Sequence, residues 1–317
     1  MASVAEIDGL RGPLAPVPPP LDQYTGAAAA YSVRLLRTAY TGDIMRVRRD
    51  SDQNEIDVGF DSNDEFGLTS PVSNATSGSF TDFADFIGHG GTPANGFCRW
   101  WYDQSGNAVD AGQATSTSQP KIYDSTTGII EEGAAGKEKP ALDFDGSNDG
   151  LNCSTNLRTT TGASTVIQVR KVQSPPTSGV FYQPFVFYKV QRHLMDISAY
   201  SNVSISTNET ASEYIKFSGM NVANQLLSVS TWDGSTQTGG VDEVIQYKDG
   251  AQETGTASTN SMGVSPSGTN SIGFRSDTNN QFCLGTFQEV IVWLSDQDSA
   301  GNRSGIETNI NGYFQIF

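Results

Sequence analysis

The segment DFDGSND brings three carboxylates, Asp143, Asp145 and Asp149, together around Gly146. Oxygen ligands clustered at a turn are the kind of site a hard cation such as Ca2+ takes. The glycine comes too early for an EF-hand loop, and Asp and Asn are favoured turn residues because their side chains bond nearby backbone. A turn without a cofactor is the expectation, Ca2+ being the one metal the pattern would admit. A second concentration of charge lies in IMRVRRDSDQNEIDVGF, where Arg46, Arg48 and Arg49 are flanked by acidic residues. Strand-face ion pairs are expected there, in preference to an anion site. Cys98, Cys153 and Cys283 are odd in number and no C-x-x-C occurs, which argues against a disulfide framework or structural zinc. Two histidines, His89 and His193, are too few for a histidine metal centre.

The elements that must position these groups are mostly strands. The chain has 317 residues, 33 of them glycine, with 36% hydrophobic and only 17% charged residues. Short runs rich in β-branched and aromatic residues alternate with Gly, Asn and Ser turns, the pattern of an all-β protein. IMRVRR and EIDVGF read as a hairpin, and FCRWWYDQSGN as a strand that carries its aromatics into the core. QPKIYD, PALDFDG, STVIQVRKV, LLSVSTW, DEVIQYKDG, NSIGFRS and FQEVIVWL read as further strands. VFYQPFVFYKV is another, with Pro184 marking an edge or a bulge. Helices are expected over Gly26–Arg37, where an alanine run favours one, in SFTDFADFIG, and at the end, where Ile306, Ile310 and Phe314 share a face. Residues 1–25 hold Pro13, Pro16, Pro18, Pro19 and Pro20 and read as an extended arm. The body is one unit over 26–317. A net charge of −16 repels phosphate backbones and argues against nucleic-acid binding. No apolar run reaches the roughly 18 residues of a membrane span, and MASVAEIDGL has no secretory pattern.

Several stretches resemble known families. PALDFDGSNDGL, LLSVSTWDGSTQT with VIQYKDGAQETG, and GTFQEVIVWLSDQDS are similar to segments of laminin-G and concanavalin-type domains. The resemblance implies a two-sheet antiparallel jelly-roll sandwich. AYSVRLLRTAYTGDIMRVRRDSDQNEIDVGF and WWYDQSGNAVDAGQ resemble the start of the catalytic domain of the α-L-arabinofuranosidase B family, and also domains of phage virion proteins associated with tails and capsids.

For the arabinofuranosidases the resemblance implies two carboxylates about 5 Å apart. Asp277, in FRSDTNN, matches the acid/base position, although Arg275 and Ser276 stand where the family has glycines. The family's Met-Glu-Asn-Asn nucleophile segment has no counterpart. Glu209 and Glu213 stand in other contexts, and the family's adjacent-cysteine pair is missing. One carboxylate without its partner cannot run the double displacement, so no enzyme activity is expected.

The phage resemblance implies a structural or adhesive virion component, made in a host cytoplasm. Its expected partners are other virion proteins and further copies of itself, engaged through the arm. Because such sandwiches present aromatic residues to sugars, Trp232 and Trp293 are the glycan-binding candidates of the alternative, a carbohydrate-binding module that would meet a cell-surface glycan.

Overall fold

The computed structural model describes residues 18–155, 157, 163–172, 182–186, 192–196, 202–206, 214–217, 224–233, 244–258, 270–274 and 282–317. For 182–186, 192–196, 202–206, 214–217, 256–258, Trp232 and Val244 only the backbone path is described. Pro13, Pro16 and Asp277 lie outside the described residues.

The fold is mainly β, and its described strand pairs are antiparallel. The strands that matter for the site are β1 (Ala27–Ser32), β2 (Met45–Arg49), β3 (Glu55–Val58), β4 (Gly96–Trp101), β5 (Lys121–Asp124) and β6 (Leu142–Asp145). They are followed by β7 (Ser164–Val172), β8 (Leu226–Trp232), β9 (Val244–Lys248) and β10 (Leu284–Trp293). β10 is the hub. One edge pairs with β7, while the other is shared by β6 near its start and β1 near its end. β7 continues to β8 and β9. β6 continues through β5 and β4 to the β2–β3 hairpin.

β7 and β10 are buried along almost their whole length. A strand reads that way only when both its faces are covered, so the sheet lies inside a layered sandwich, as expected. Helix α3 (Arg303–Phe314) buries Ile306, Ile310 and Phe314 as its spacing predicts. Arg34 sits beneath it, in a fully enclosed ion pair with Glu289 of β10 at 2.8 Å and 4.7 Å from the Tyr313 ring. The expected hairpin, the short helix α2 (Phe83–Ile87) and the Pro184 irregularity, where the register shifts between Tyr182 and Phe185, are all present.

Two expectations are corrected. The alanine run is strand β1, not a helix: Ala29 and Ala30 are fully buried opposite Val292 and Ile291. Helix propensity is a weak prior that tertiary pairing overrides, and small side chains suit a strand packed tightly between neighbours. Residues 20–23, within the expected extended arm, are also not extended. Pro20–Gln23 forms one helical turn, α1, started by Pro20 at its first position. Leu21 is buried and its N–H donates to the Leu36 carbonyl at 2.9 Å. The Asp22 carboxylate accepts from the Thr38 N–H at 3.0 Å. The polyproline run thus ends on the body, with Pro18 exposed and Pro20 buried.

Candidate functional site

The three clustered aspartates do come together, and for the reason a turn requires. Asp145 closes the loop after β6 by accepting from the N–H groups of Ser147 at 2.8 Å and Asn148 at 3.2 Å. Asp149 returns to accept from the Asp145 N–H at 3.0 Å. Gly146 has φ +74, and a Cβ there would meet the Leu284 Cβ at 2.8 Å, so the position needs glycine. The turn leaves Asp143, Asp145 and Asp149 lining a cleft of about 510 Å³. Among the described residues no group of three acidic, Cys or His side chains is arranged to hold a metal.

Asp143, Lys121, Phe97 and Arg48 are successive register partners across one sheet, and the rest of the cleft comes from the hairpin and the residues before β5. Arg48, Asp50 and Gln53 line it beside Phe97, Gln119 and Lys121. The expected ion pairing holds for two of the three arginines. Arg46 pairs with Glu55 and Asp57, and Arg49 with Asp52. Arg48 differs. Its register partner on β3 is Glu55, but that carboxylate is taken by Arg46 and Arg99. Arg48 instead donates to Gln119 Oε1 at 2.7 Å, Gln53 Oε1 at 3.0 Å and the Ser116 carbonyl at 2.8 Å. Its guanidinium lies 4.8 Å from the Phe97 ring centroid, and the Lys121 ammonium lies 5.9 Å from the same ring. Lys121 is paired with Asp124 at 3.0 Å. Gln53 reaches Arg48 from a left-handed backbone (φ +64) at the hairpin turn. That conformation is uncommon for a non-glycine residue and worth a functional look.

Electrostatics follow from burial. Asp149 is pushed up to about 7, first by burial and then by the charges of Asp145 and Asp143, against the Asp145 N–H that favours its ionised form. Asp143 is raised by burial, with Lys121 opposing. Burial holds Arg48 below the usual guanidinium range, while Asp50 and Glu55 act from a distance to restore it and Arg99 adds to the fall. The cleft therefore holds carboxylates that titrate toward neutral pH beside a cation with no ion pair among the described residues.

The other candidates are not brought here. Trp293 is fully buried and donates its Nε1–H to the Thr25 carbonyl at 3.2 Å, so it packs the core and presents no face to a sugar. Trp232 ends β8 opposite Ser164 and Val244. The YDQSGN segment is scaffold. Asp103 accepts from the N–H groups of Ala30, Ser105 and Val109, and Gln104 bonds β1 and the residues that follow it through both ends of its amide. Gln53, Phe97, Gln119 and Lys121 were not expected at a site. Gln53 alone lies near Arg48 in the sequence; Phe97, Gln119 and Lys121 carry no such signal, and their convergence depends on register.

No family model and no curated protein matches the chain. Among solved structures, the chain is similar to an arabinofuranosidase complexed with arabinofuranosyl-α-1,2-xylobiose. Identity there is 15% and the TM-score 0.48, over 90% of this chain and 62% of that one. It is similar to the Trypanosoma rangeli sialidase at 13% identity and TM-score 0.42, over 67% of this chain and 31% of that one. It is also similar to domain 4 of a GH43 extracellular arabinanase from Geobacillus stearothermophilus, in complex with arabinotriose, at 14% identity and TM-score 0.35, over 65% of this chain and 92% of that one. The chain thus spans about three fifths of the arabinofuranosidase and a third of the sialidase.

Proposed function

We propose that the protein recognises carbohydrate through the Arg48–Asp149 cleft without hydrolysing it, as an adhesive component of a bacteriophage particle. The observation that carries the recognition is the lining of the cleft. The donors Arg48, Gln53, Gln119 and Lys121 and the carboxylates Asp50, Asp143, Asp145 and Asp149 line one cleft, beside a partly exposed Phe97 ring. A sugar ring offers both hydroxyl polarities and an apolar face, so it can use all three. A few placed polar groups around an aromatic are the general form of a small-ligand site.

The particle setting is supported by the phage-like opening residues and the proline-rich segment that precedes α1. The absence of hydrolysis is supported by the lack of a counterpart to the arabinofuranosidase nucleophile segment. Titration calorimetry with arabinotriose, xylotriose and cellotriose tests binding, and incubation with 4-nitrophenyl α-L-arabinofuranoside tests hydrolysis. The expected result is saturable binding of a neutral trisaccharide with no nitrophenol released. Failure of every glycan to bind would remove the recognition reading. Turnover abolished by Asp277→Asn would make the protein a hydrolase instead.

A further inference from the structure

We infer that the cleft takes an internal stretch of an extended, neutral glycan chain, laid across the strands along the row Arg48, Phe97, Lys121 and Asp143, and not a single terminal sugar. The inference rests on the glycan-binding reading and names the substrate class within it.

The row follows from register. Arg48 of β2 is opposite Phe97 of β4, Phe97 is opposite Lys121 of β5, and Lys121 is opposite Asp143 of β6. Residues directly opposite each other in antiparallel strands put their side chains on one face. The contacts agree: the Arg48 guanidinium and the Lys121 ammonium lie 4.8 Å and 5.9 Å from the Phe97 ring centroid. All four side chains line the one cleft. Neighbouring strands lie about 4.8 Å apart, so the three intervals from Arg48 to Asp143 span about 14 Å. One sugar ring covers about one such interval. A hydroxyl bonds only a partner within about 3 Å, so no single ring serves both ends of the row, whereas successive rings of a chain do. The cleft volume of about 510 Å³ lies in the range that takes ligands of several rings.

The ends of the cleft fit a chain that continues. Asp50 and Gln53 are exposed beyond Arg48 at the hairpin, and Asp145 is exposed beyond Asp143 at the turn after β6. Polar, solvent-facing side chains at both ends let a chain enter and leave. A site for a terminal sugar would close around one of them. Charge sets the kind of chain. Asp50, Asp143, Asp145 and Asp149 line the cleft against two cations, Arg48 and Lys121. A chain of uronic acids would meet this excess of carboxylates at every unit, and a neutral chain does not.

Calorimetry on the full chain tests this with three ligand series: arabinose to arabinotetraose, xylose to xylotetraose and glucose to cellotetraose. Linear arabinan, xylan and a soluble β-glucan of known length are titrated as well, and trigalacturonate serves as the charged control. In the series that binds, the dissociation constant should fall at least tenfold from monosaccharide to trisaccharide and less than threefold from there to tetrasaccharide. Several protein molecules should load each polymer chain. Arg48→Gln and Asp143→Asn, at the two ends of the row, should each weaken the trisaccharide at least fivefold, with circular dichroism to check folding. A monosaccharide that binds as tightly as its trisaccharide would overturn the inference and leave glycan recognition standing. So would one protein per polymer chain, tighter binding of trigalacturonate, or a folded variant at either end that binds the trisaccharide as wild type does. If a variant fails to fold, the length series and the polymer stoichiometry still decide. If no sugar binds the wild type at any length, the glycan-binding reading falls with it.

Discussion

Asp149 shows how a residue chosen for turn closure acquires chemistry. Its ordinary role is to accept the Asp145 N–H, but burial beside two other aspartates lifts it to about 7. Because the folded protein holds this proton to higher pH than the unfolded chain, stability falls as pH rises from about 4 to about 7. Asp149→Asn keeps an acceptor for the Asp145 N–H and removes the charge. Its melting temperature should exceed that of wild type by a few degrees at pH 8, with the gain vanishing near pH 4; equal gains at both would refute the coupling. Glu289 is the opposite case. Its carboxylate is enclosed with Arg34 and also accepts from Ser32 Oγ at 2.8 Å. Breaking a buried pair from one side typically costs about 3–5 kcal/mol because the other charge is stranded. Glu289→Gln should therefore lower the urea midpoint markedly, whereas Asp52→Asn, at the exposed Arg49 pair, should move it little.

At the scale of elements, α1 decides where the body begins. Leu21 is buried, Asp22 accepts from Thr38, and the Pro18 carbonyl accepts from Asn309 of α3 at 2.6 Å. A protein starting at Pro18 should melt with full length. One starting at Gly26 loses a buried leucine, about 2 kcal/mol by apolar burial alone, and should melt several degrees lower; identical melting of the two would show that α1 adds nothing. The same clip ties the first strand to the last helix, since Arg34 lies two residues past β1 and donates to Asn309 Oδ1 at 3.3 Å. The hairpin is the element on which the cleft depends. Its turn sets Gln53 in a left-handed conformation and aims it back at Arg48. Gln53→Gly would ease the backbone and remove the side chain. The eased backbone offsets part of the lost Arg48 and Asp50 bonds, so a modest fall in melting temperature is expected together with weaker glycan binding, readable by thermal melting and calorimetry.

For the whole molecule, the expectation that follows from the proposed setting is assembly through residues 1–17. A protein that starts at Pro18 should fold and bind sugar as full length does, yet be missing from purified particles by mass spectrometry; its presence at full copy number would remove that role from the segment. How much of the molecule could be read beforehand differs between elements for physical reasons. Strand periodicity, turn residues and the i, i+4 face of α3 are local, and they gave the mainly-β sandwich, the hairpin and the terminal helix. The carboxylate turn was also legible, because DFDGSND is a contiguous segment and Gly146 a local requirement. What local pattern misread was Ala27–Ser32, whose propensity is helical but whose neighbours are β10 and its buried face. It also left open which aromatic residues face solvent: burial of Trp293 is set by what packs over β10, and Phe97 reaches the cleft because β4 lies between β2 and β5. Arg48 illustrates the division best. Sequence placed it in a basic strand, but its having no carboxylate partner among the described residues depends on Glu55 turning to Arg46 and Arg99, a choice among side chains that only the paired strands make.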